Sequence, residues 1–341
     1  MPPLRFALFG TGFWSRFQLA AWQEVGGVEC VALANRTADK AVRVADDLGL
    51  RAHIYTDPEA LLANEQLDFV DVVSSVETHG PLVHLAAAHG LPVICQKPLA
   101  DDWRQVQNMV RECERRALPF FVHENWRWQA PIRKVKQLLL RPEAGPVYRG
   151  RLRMVSSFPI FENQPSLKTL ERFLVMDMGS HILDVVRFLF GEPASIYCTL
   201  ARVRPDIQGE DVATIILRTA TNATIVCELG YAGTPLEHDH FPQTVAFIEC
   251  RDASIELGPH YCVRLTTKRG TETLRAAPAR YEWSDPAYEV VHASIVDCHR
   301  DLLAGLRGQH EPETSAADNL KTMRLVFSAY DSAQTNRVIE L

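Results

Sequence analysis

The sequence lacks the features that mark several classes of protein. It has no run of basic residues, and 36 lysines and arginines against 42 acidic residues give a formal charge of −6. Neither nucleic acid nor an anionic membrane surface is therefore a predicted partner. No apolar stretch is long enough to cross a bilayer, and the N-terminal segment has no signal-peptide layout, so we predict a cytoplasmic protein that acts on a small molecule.

Patterns typical of disulfide or metal sites are also missing. The eight cysteines include no Cys-x-x-Cys pair, and several lie in apolar, strand-like runs, so we expect buried free thiols. The densest group of possible metal ligands is Glu237-His238-Asp239-His240. Because no second group of ligands accompanies it, a solvated loop is the favoured interpretation and no metal site is predicted.

The sequence contains two regions of different periodicity. Up to residue 123, short apolar runs alternate with helical patterns, which predicts a doubly wound parallel α/β sheet. After a connector at residues 141–146, longer β-rich runs predict an open antiparallel sheet interrupted by one helix, Gly179 to Phe190. A chain of 341 residues, 47% hydrophobic, can bury a core in each of two domains, 1–123 and 124–341, with the C-terminal helix able to pack back on the first. An apolar outer face on the antiparallel sheet would have to be covered, which predicts a homodimer or homotetramer formed through that sheet.

The first strand leads directly into a glycine-rich turn. Gly10 permits a tight turn into a helix, Gly12 lets the backbone approach a pyrophosphate, and the helix that follows offers free N–H groups. Ser15 stands where a third glycine is usual and is small enough to preserve close packing of the helix on the strand. An ordinary turn without a ligand is the alternative. The predicted dinucleotide contacts of this turn are Gly10, Thr11, Gly12, Phe13 and Trp14.

The residues after the second strand bear on the choice of coenzyme. An acidic residue there would bind the ribose diol and repel a 2′-phosphate, whereas the chain has Asn35 and Arg36. Arg36 can pair with a phosphate, so the pattern favours NADP slightly over NAD. Alternatively, Arg36 stacks on adenine while Asn35 binds both hydroxyls.

Two further segments carry groups suited to proton transfer. Lys97 follows the fifth strand of the parallel sheet, where ligands of such sheets bind, and can donate to a substrate oxygen. Asp177, His181 and Asp184 are spaced so that they share one helix face; His181 can accept a proton from an alcohol and Asp177 can orient it or hold a substrate hydroxyl. The alternatives are a surface lysine, a helix cap at Asp177 and a buried histidine, and for Asp184 we favour a simple ion pair with Arg187.

With these motifs the chain resembles the Gfo/Idh/MocA oxidoreductase family, which includes glucose–fructose oxidoreductase and inositol dehydrogenases, over nearly its whole length. The resemblance also covers Glu311-Pro-Glu-Thr-Ser315 and Asn319. Two motifs depart from the family's usual form: Ser74-Ser75 replaces Thr-Pro ahead of His79, and Gln96-Lys97-Pro98 replaces Glu-Lys-Pro. The first change loosens the backbone but keeps hydroxyls, and the second removes a carboxylate near Lys97.

The resemblance implies an N-terminal Rossmann domain, a C-terminal open antiparallel sheet, substrate bound between the two, and NAD(P)-dependent oxidation or reduction at a sugar or polyol carbon. It implies that Lys97, Asp177 and His181 form the catalytic group, and it leaves open whether Lys97 or His181 moves the proton. Asn125 and Arg127 would join them as substrate contacts, although Trp126 and Trp128 in that segment could equally be packing residues. Further coenzyme contacts are implied at Ser74, Ser75, His79, Gln96 and Lys97.

Two other functions remain open at this point. One is reduction of an unsaturated or aromatic-type substrate, as in biliverdin reductase or a dihydrodiol-type enzyme, with Phe158, Phe161 and Phe173 lining the pocket. The other is a regulatory protein that senses NAD(P) without turnover. The presence of both Lys97 and His181 favours carbinol chemistry over either.

Overall fold

The structure, a computed structural model, describes residues 2–236 and 244–341. The chain forms two compact units. The first comprises the residues up to Glu124 together with Ile295–Met323, and the second comprises Asn125–Ser294 and Arg324–Leu341. The division into domains 1–123 and 124–341 stays a prediction.

A parallel six-stranded sheet with helices between its strands forms the first unit, as the alternating pattern predicts. Its strands are β1 (Leu4–Phe9), β2 (Val28–Ala34), β3 (His53–Tyr55), β4 (Phe69–Val72), β5 (Val93–Gln96) and β6 (Phe120–His123). The intervening helices are α1 (Ser15–Val25), α2 (Ala38–Asp47), α3 (Pro58–Asn64), α4 (Val76–Ala88) and α5 (Trp103–Arg115). The strand order β3-β2-β1-β4-β5-β6 reverses at β1, so the carboxyl ends of β1 and β4 flank the crevice in which such sheets bind ligands.

Burial and capping explain why these segments form these elements. All four residues of β4 and all four of β6 are buried, as expected for parallel strands covered on both faces. Asp57 accepts a hydrogen bond from the backbone of Glu59, with Pro58 in the first turn, and thereby fixes the start of α3.

The second unit is built on a nine-stranded sheet of order β14-β13-β12-β11-β7-β10-β9-β8-β15. Its strands are β7 (Val147–Val155), β8 (Pro193–Ala201), β9 (Val212–Thr219), β10 (Thr224–Gly230), β11 (Val245–Cys250), β12 (Ala253–Leu257), β13 (Cys262–Thr267), β14 (Gly270–Arg275) and β15 (Ile339–Glu340). The helices of the rest of the chain are α6 (Ala130–Leu139), α7 (Ile160–Asn163), α8 (Ser180–Phe190), α9 (Glu289–Leu306) and α10 (Ala316–Thr335). β7 and β10 pair in parallel and the other neighbours are antiparallel, so the predicted antiparallel sheet is in fact mixed.

The two faces of this sheet differ. Along β7, Gly150, Leu152 and Met154 are buried while the arginines between them are exposed. A Cβ atom at Gly150 would lie 3.1 Å from the Phe190 ring, so the glycine lets the end of α8 pack on the buried face.

The outer face is not uniformly apolar, contrary to the sequence prediction. Ion pairs join Arg149 to Glu249 and Arg151 to Glu228 across neighbouring strands. The strand register nevertheless aligns one row of largely apolar side chains across five strands. In order from β11 to β8 these are Phe247, Arg151, Val226, Ile216 and Tyr197.

Within residues 2–236 and 244–341, no helix combines the length and apolarity needed to cross a membrane. No group of three or more His, Cys, Asp or Glu side chains in these ranges could hold a metal ion. Glu237-His238-Asp239-His240 lies outside the described residues. All eight cysteines are free, six are buried, and Cys30 and Cys262 are partly exposed.

Candidate active site

The glycine-rich turn has the backbone geometry that a dinucleotide requires. Gly10 has a φ of +98°, and a Cβ there would lie 2.6 Å from the carbonyl oxygen of Val73, so only glycine fits. A Cβ at Gly12 would meet nothing within 4 Å, which leaves the approach to the turn open. Ser15 is buried and donates to the carbonyl of Gly12 at 2.7 Å, which closes the turn where a third glycine is usual.

The start of α1 is available to an anion. No side chain caps its first turn, and the Thr11 hydroxyl is buried without a hydrogen-bond partner among the described residues. Phe13 and Trp14 pack edge-to-face against each other and against Phe17, which shapes the rim of this turn. A helix start without a side-chain cap, an uncommitted hydroxyl and an open glycine fit the pyrophosphate of a dinucleotide.

Asn35 braces the loop that would face the adenosine ribose. Its side-chain oxygen accepts from the backbone of Thr11 at 3.3 Å, and its amide donates to the carbonyl of Thr37 at 2.9 Å. Arg36 is exposed. Asn35 is thus engaged by the loop, and the coenzyme contacts of Asn35 and Arg36 stay predictions.

His79 joins the segment after β4 to the segment after β5. Its Nδ1 lies 3.0 Å from the carbonyl oxygen of Pro98 and its Nε2 lies 3.1 Å from that of Ser74. Burial lowers the pKa of His79, and a neutral ring, which has one N–H, donates to one of these two carbonyls. Ser75 is exposed at the start of α4 and donates to Glu77 at 2.6 Å. These contacts give His79 a bracing role, and its contact with coenzyme stays a prediction.

The residue before Lys97 belongs to a buried polar network that the sequence did not indicate. Gln96 Nε2 lies 3.1 Å from Gln18 Oε1 and 3.1 Å from His123 Nδ1. Gln18 in turn donates weakly to the fully buried Asp71, at 3.4 and 3.5 Å, and Trp22 Nε1 donates to the same carboxyl at 2.8 Å. Burial raises the pKa of Asp71 to about 7, since its donors are neutral.

Lys97 is therefore held on both sides. Gln96 is fixed by the amide network, and the carbonyl of Pro98 is bonded by His79. The side chain of Lys97 is half-buried at the carboxyl end of β5. The predicted coenzyme contacts lie at or just beyond the carboxyl ends of β1, β2, β4 and β5, except His79, which lies in the first turn of α4.

In the second unit, Asp177 and His181 lie on one continuous helical segment. Val175–Gly179 forms a π-helical turn that passes directly into α8 at Ser180, instead of the predicted helix start at Gly179. Asp177 lies inside this turn, half-buried, and does not cap the helix. π-turns of this kind are rare and frequently occur at functional sites.

His181 is buried and its ring stacks on Trp126, with ring centroids 4.0 Å apart and planes inclined by 21°. Trp126 Nε1 donates to the hydroxyl of Thr244 at 3.3 Å, which fixes the indole. Trp126 is thus a packing residue that sets the plane of His181. The sequence indicates that Trp126 follows the sixth strand, but it does not indicate that His181 is its stacking partner.

Arg127 and Asp184 form a buried bidentate ion pair. Arg127 Nε donates to one carboxylate oxygen at 2.7 Å and its second nitrogen donates to the other at 2.6 Å. Arg187, the partner expected from the sequence, also lies within ion-pair distance of Asp184, at 3.9 Å, and makes a closer pair with Glu192, at 2.8 Å. A guanidinium committed in this way anchors the Trp126 segment to α8, so a substrate contact by Arg127 stays a prediction.

Asn125 is likewise engaged within its unit. Its amide donates to the hydroxyl of Ser294 at 2.8 Å and to the carbonyl of Val291 at 3.3 Å. Its contact with substrate also stays a prediction.

The aromatic residues considered for an alternative substrate do not form one apolar pocket. Phe173 is fully buried against Phe161 and Tyr231. Phe158 and Phe161 line a cavity of about 280 Å³ that also contains Lys168, Arg204 and Glu162. Its charged lining does not favour an extended aromatic substrate.

Comparison with known proteins agrees with this geometry. A family model described as "Oxidoreductase family, NAD-binding Rossmann fold" matches residues 4–124, and the "GFO/IDH/MocA C-terminal domain" matches residues 132–247. D-apiose dehydrogenase of Paraburkholderia graminis is 40% identical over 335 residues, which are 98% of this chain and 89% of that protein. D-apiose dehydrogenase of Rhizobium rhizogenes is 38% identical over 341 residues, 100% of this chain and 98% of that protein.

A solved structure is also similar over its whole length. It is an oxidoreductase from Agrobacterium radiobacter in complex with NAD+, L-tartaric acid and magnesium, 38% identical, with a TM-score of 0.96 over 99% of this chain and 98% of that chain. The resemblance seen in the sequence motifs is confirmed. This chain is an NAD(P)-dependent oxidoreductase that belongs to the Gfo/Idh/MocA family.

Proposed function

We propose that this enzyme transfers hydride between NAD(P) and a carbinol or carbonyl carbon of a sugar, polyol or sugar acid, with D-apiose or a similar pentose as the first substrate to test. The near full-length similarity to two D-apiose dehydrogenases supports the sugar class. The observation that carries the chemistry is the buried His181, fixed by its stack on Trp126 and one turn beyond Asp177. An imidazole fixed in one plane suits directional proton transfer.

Each residue has a distinct role in this proposal. The nicotinamide, when bound, takes up the hydride that leaves the carbinol carbon. His181 accepts the proton of the hydroxyl group, and Asp177 orients His181 or holds a neighbouring hydroxyl. The ammonium group of Lys97 donates to the reacting oxygen and stabilises the negative charge that develops there. The electron pair of the C–H bond leaves with the hydride, and the electron pair of the O–H bond, left when His181 takes the proton, forms the second bond of the carbonyl product.

Arg36 sets the coenzyme preference in this proposal. Neither of the two residues that follow β2, Asn35 and Arg36, is acidic, so neither would repel a 2′-phosphate. NADP is therefore accepted and slightly favoured. The similar Agrobacterium oxidoreductase was solved with NAD+, which makes NAD the natural comparison. The ratio of kcat/KM for the two coenzymes measures the preference.

A homodimer or homotetramer formed through the outer face of the nine-stranded sheet is the assembly that we propose. The apolar row from Phe247 to Tyr197 supports it, since Phe247 and Ile216 are 46% and 40% exposed. Sedimentation equilibrium tests it, and a monomer at micromolar concentration would contradict it. The cytoplasmic location stays a prediction.

The central experiment follows coenzyme reduction by D-apiose and a panel of pentoses, hexoses, polyols and sugar acids. We expect Lys97→Ala and His181→Ala each to lower kcat at least about a hundredfold while coenzyme binding stays measurable. The exposed residues Lys40 and His84 provide matched controls, and Lys40→Ala and His84→Ala should keep wild-type turnover. Wild-type kcat in either active-site variant would overturn the catalytic assignment.

A further inference from the structure

The helical segment that carries Asp177 and His181 begins with an unusual cap. The first intrahelical bond runs from the Asp177 N–H to the carbonyl of Phe173, at 2.8 Å. The N–H groups of the four preceding residues therefore have no partner within the helix. These residues are all buried, so water cannot satisfy the four donors: Phe173, Leu174, Val175 and Met176.

One residue satisfies three of these donors. The two carboxylate oxygens of Glu210 accept from Phe173 at 3.3 Å and from Val175 at 3.0 Å. The main-chain carbonyl of Glu210 accepts from Leu174 at 3.3 Å. A carboxylate at this end of a helix is also favoured by the helix dipole.

Tyr330, from α10, completes the cap. Its hydroxyl oxygen accepts from the N–H of Met176 at 3.0 Å and its proton is donated to Glu210 at 2.7 Å. Burial raises the pKa of Tyr330, with the neighbouring Glu210 adding to the effect, so the phenol keeps its proton. Glu210 and Tyr330 therefore act as one hydrogen-bonded pair.

The loop that presents Glu210 is shaped for this contact. A Cβ at Gly209 would lie 2.6 Å from the carbonyl oxygen of Leu170 and 2.9 Å from the Phe173 side chain, so glycine is needed for the close approach. On the other side, the fully buried Asp211 accepts from the backbone of Val203 at 2.7 Å and of Arg204 at 2.9 Å. The carboxylate is thus held rigidly against the helix start.

We propose that Glu210 and Tyr330 are positioning residues that hold the π-turn and thereby set where Asp177 and His181 stand. They act through the backbone of Phe173 to Met176 and touch no reacting atom. A π-turn is less stable than α-helix, so a segment released from the cap would relax and displace Asp177. The proposal rests on the proposed function of Asp177 and His181 in proton transfer.

The most informative variant is Tyr330→Phe, which removes one oxygen atom and leaves the ring in place. We expect kcat, measured with the best sugar of the panel, to fall about tenfold to a hundredfold because small misplacements of catalytic groups are costly. The dissociation constant for coenzyme should stay within about twofold, since its predicted contacts lie in the first unit. The matched control is Tyr148→Phe, because the Tyr148 hydroxyl also donates to a glutamate, Glu249, but on the surface.

Hydrogen exchange gives a readout that does not depend on activity. Peptides that contain Met176 and Asp177 should exchange about fivefold faster or more in Tyr330→Phe and at the wild-type rate in Tyr148→Phe. Glu210→Gln should give a larger effect of the same kind; where it fails to fold, Tyr330→Phe decides. A lower melting temperature with wild-type kcat in Tyr330→Phe would overturn the proposal, since it would show a purely structural role.

The variant His181→Ala separates this proposal from the proposed function. If Tyr330 acts through Asp177 and His181, adding Tyr330→Phe to a variant that lacks both groups, Asp177→Ala with His181→Ala, should cause no further loss of turnover; additive losses would overturn the positioning role. Loss of turnover in His181→Ala with normal kcat in Tyr330→Phe would refute the positioning role alone. Wild-type turnover in His181→Ala would refute the proposed function instead.

Discussion

Two fully buried carboxyl groups, Asp71 in the first unit and Asp184 in the second, are satisfied in different ways. Asp71, in the parallel sheet, accepts hydrogen bonds from the Trp22 indole and the Gln18 amide, both neutral. Asp184, on α8, is paired with the guanidinium of Arg127 through two short hydrogen bonds. Neutral donors leave Asp71 able to change its protonation near pH 7, whereas the guanidinium compensates a fixed negative charge on Asp184.

The difference extends to the residues proposed for proton transfer. Lys97 follows Gln96, which contacts the amide of Gln18 and the imidazole of His123. Neither group carries the permanent charge of a guanidinium. Asp177 and His181 lie on a segment held by a carboxylate at its start and an ion pair further along α8. We therefore expect the two units to respond differently to the loss of a partner and to pH.

The largest expected effect is from breaking the buried ion pair. Arg127→Ala removes the bidentate partner of the buried Asp184 carboxylate and leaves it with the longer contact to Arg187, at 3.9 Å. This should lower the free energy of unfolding by up to about 3–5 kcal/mol, the usual cost of breaking a buried pair. The measurement is urea denaturation at neutral pH. The matched control is Arg151→Ala, since Arg151 also forms a bidentate pair, with Glu228, but its side chain is 60% exposed. That control should cost less than about 1 kcal/mol.

The double variant Arg127→Met with Asp184→Leu tests the reason for this loss. It removes both charges and keeps apolar volume, so it should recover much of the stability lost in Arg127→Ala. Equal losses of unfolding free energy in Arg127→Ala and Arg151→Ala would contradict the prediction, since burial of the ion pair would then have no effect on the cost of breaking it.

The second prediction concerns the pH dependence of stability from Asp71. Its pKa is raised from 3.8 in the unfolded chain to about 7 in the folded protein, so the folded state binds the proton more tightly. The protonated carboxyl therefore stabilises the folded protein at low pH, and this stabilisation is lost as the pH rises from about 4 towards 7. Because one pKa unit corresponds to about 1.4 kcal/mol, the total loss is up to about 4 kcal/mol. Asp71→Asn cannot ionise, so its stability relative to the wild type should increase across that range.

The check is chemical denaturation of both proteins at several pH values between about 4 and 8, around the range set by the two pKa values. The exposed Asp47 provides the control, because Asp47→Asn should leave the pH dependence unchanged. A constant difference in stability between wild type and Asp71→Asn across this range would contradict the prediction.

Local signals in the sequence were sufficient for most of the fold. The alternation of apolar runs with helical patterns up to residue 123 predicted the parallel sheet, because burial of both faces leaves its mark in short stretches of sequence. β14 carries no such signal, because its residues are mostly exposed and polar and show no alternating pattern. β15 is only two residues long.

The candidate site was less predictable because its partners are distant in sequence. The spacing of Asp177, His181 and Asp184 indicates a shared helix face but cannot distinguish a π-turn from an α-turn. The cap is supplied by Glu210, which is 35 residues from Val175, and by Tyr330, which is 154 residues from Met176. Arg127 and Asp184 are 57 residues apart, and nothing local favours that pair over Arg187.

The smallest expected effect is from placing the family's usual glutamate into the neutral network beside Lys97. Gln96 Nε2 provides two N–H groups, one to Gln18 Oε1 and one to His123 Nδ1. Gln96→Glu would set an acceptor against the Gln18 oxygen and would require His123 to carry its proton on Nδ1. Turning the Gln18 amide would restore one bond but would direct its oxygen at Asp71. We expect a loss of about 1–3 kcal/mol in unfolding free energy that grows with pH as the buried carboxyl ionises. Chemical denaturation at pH values below and above 7 measures this loss. The control is Gln66→Glu at an exposed position, which should leave the free energy of unfolding unchanged. An equal, pH-independent change in both variants would mean that Gln18 and His123 do not require glutamine at position 96.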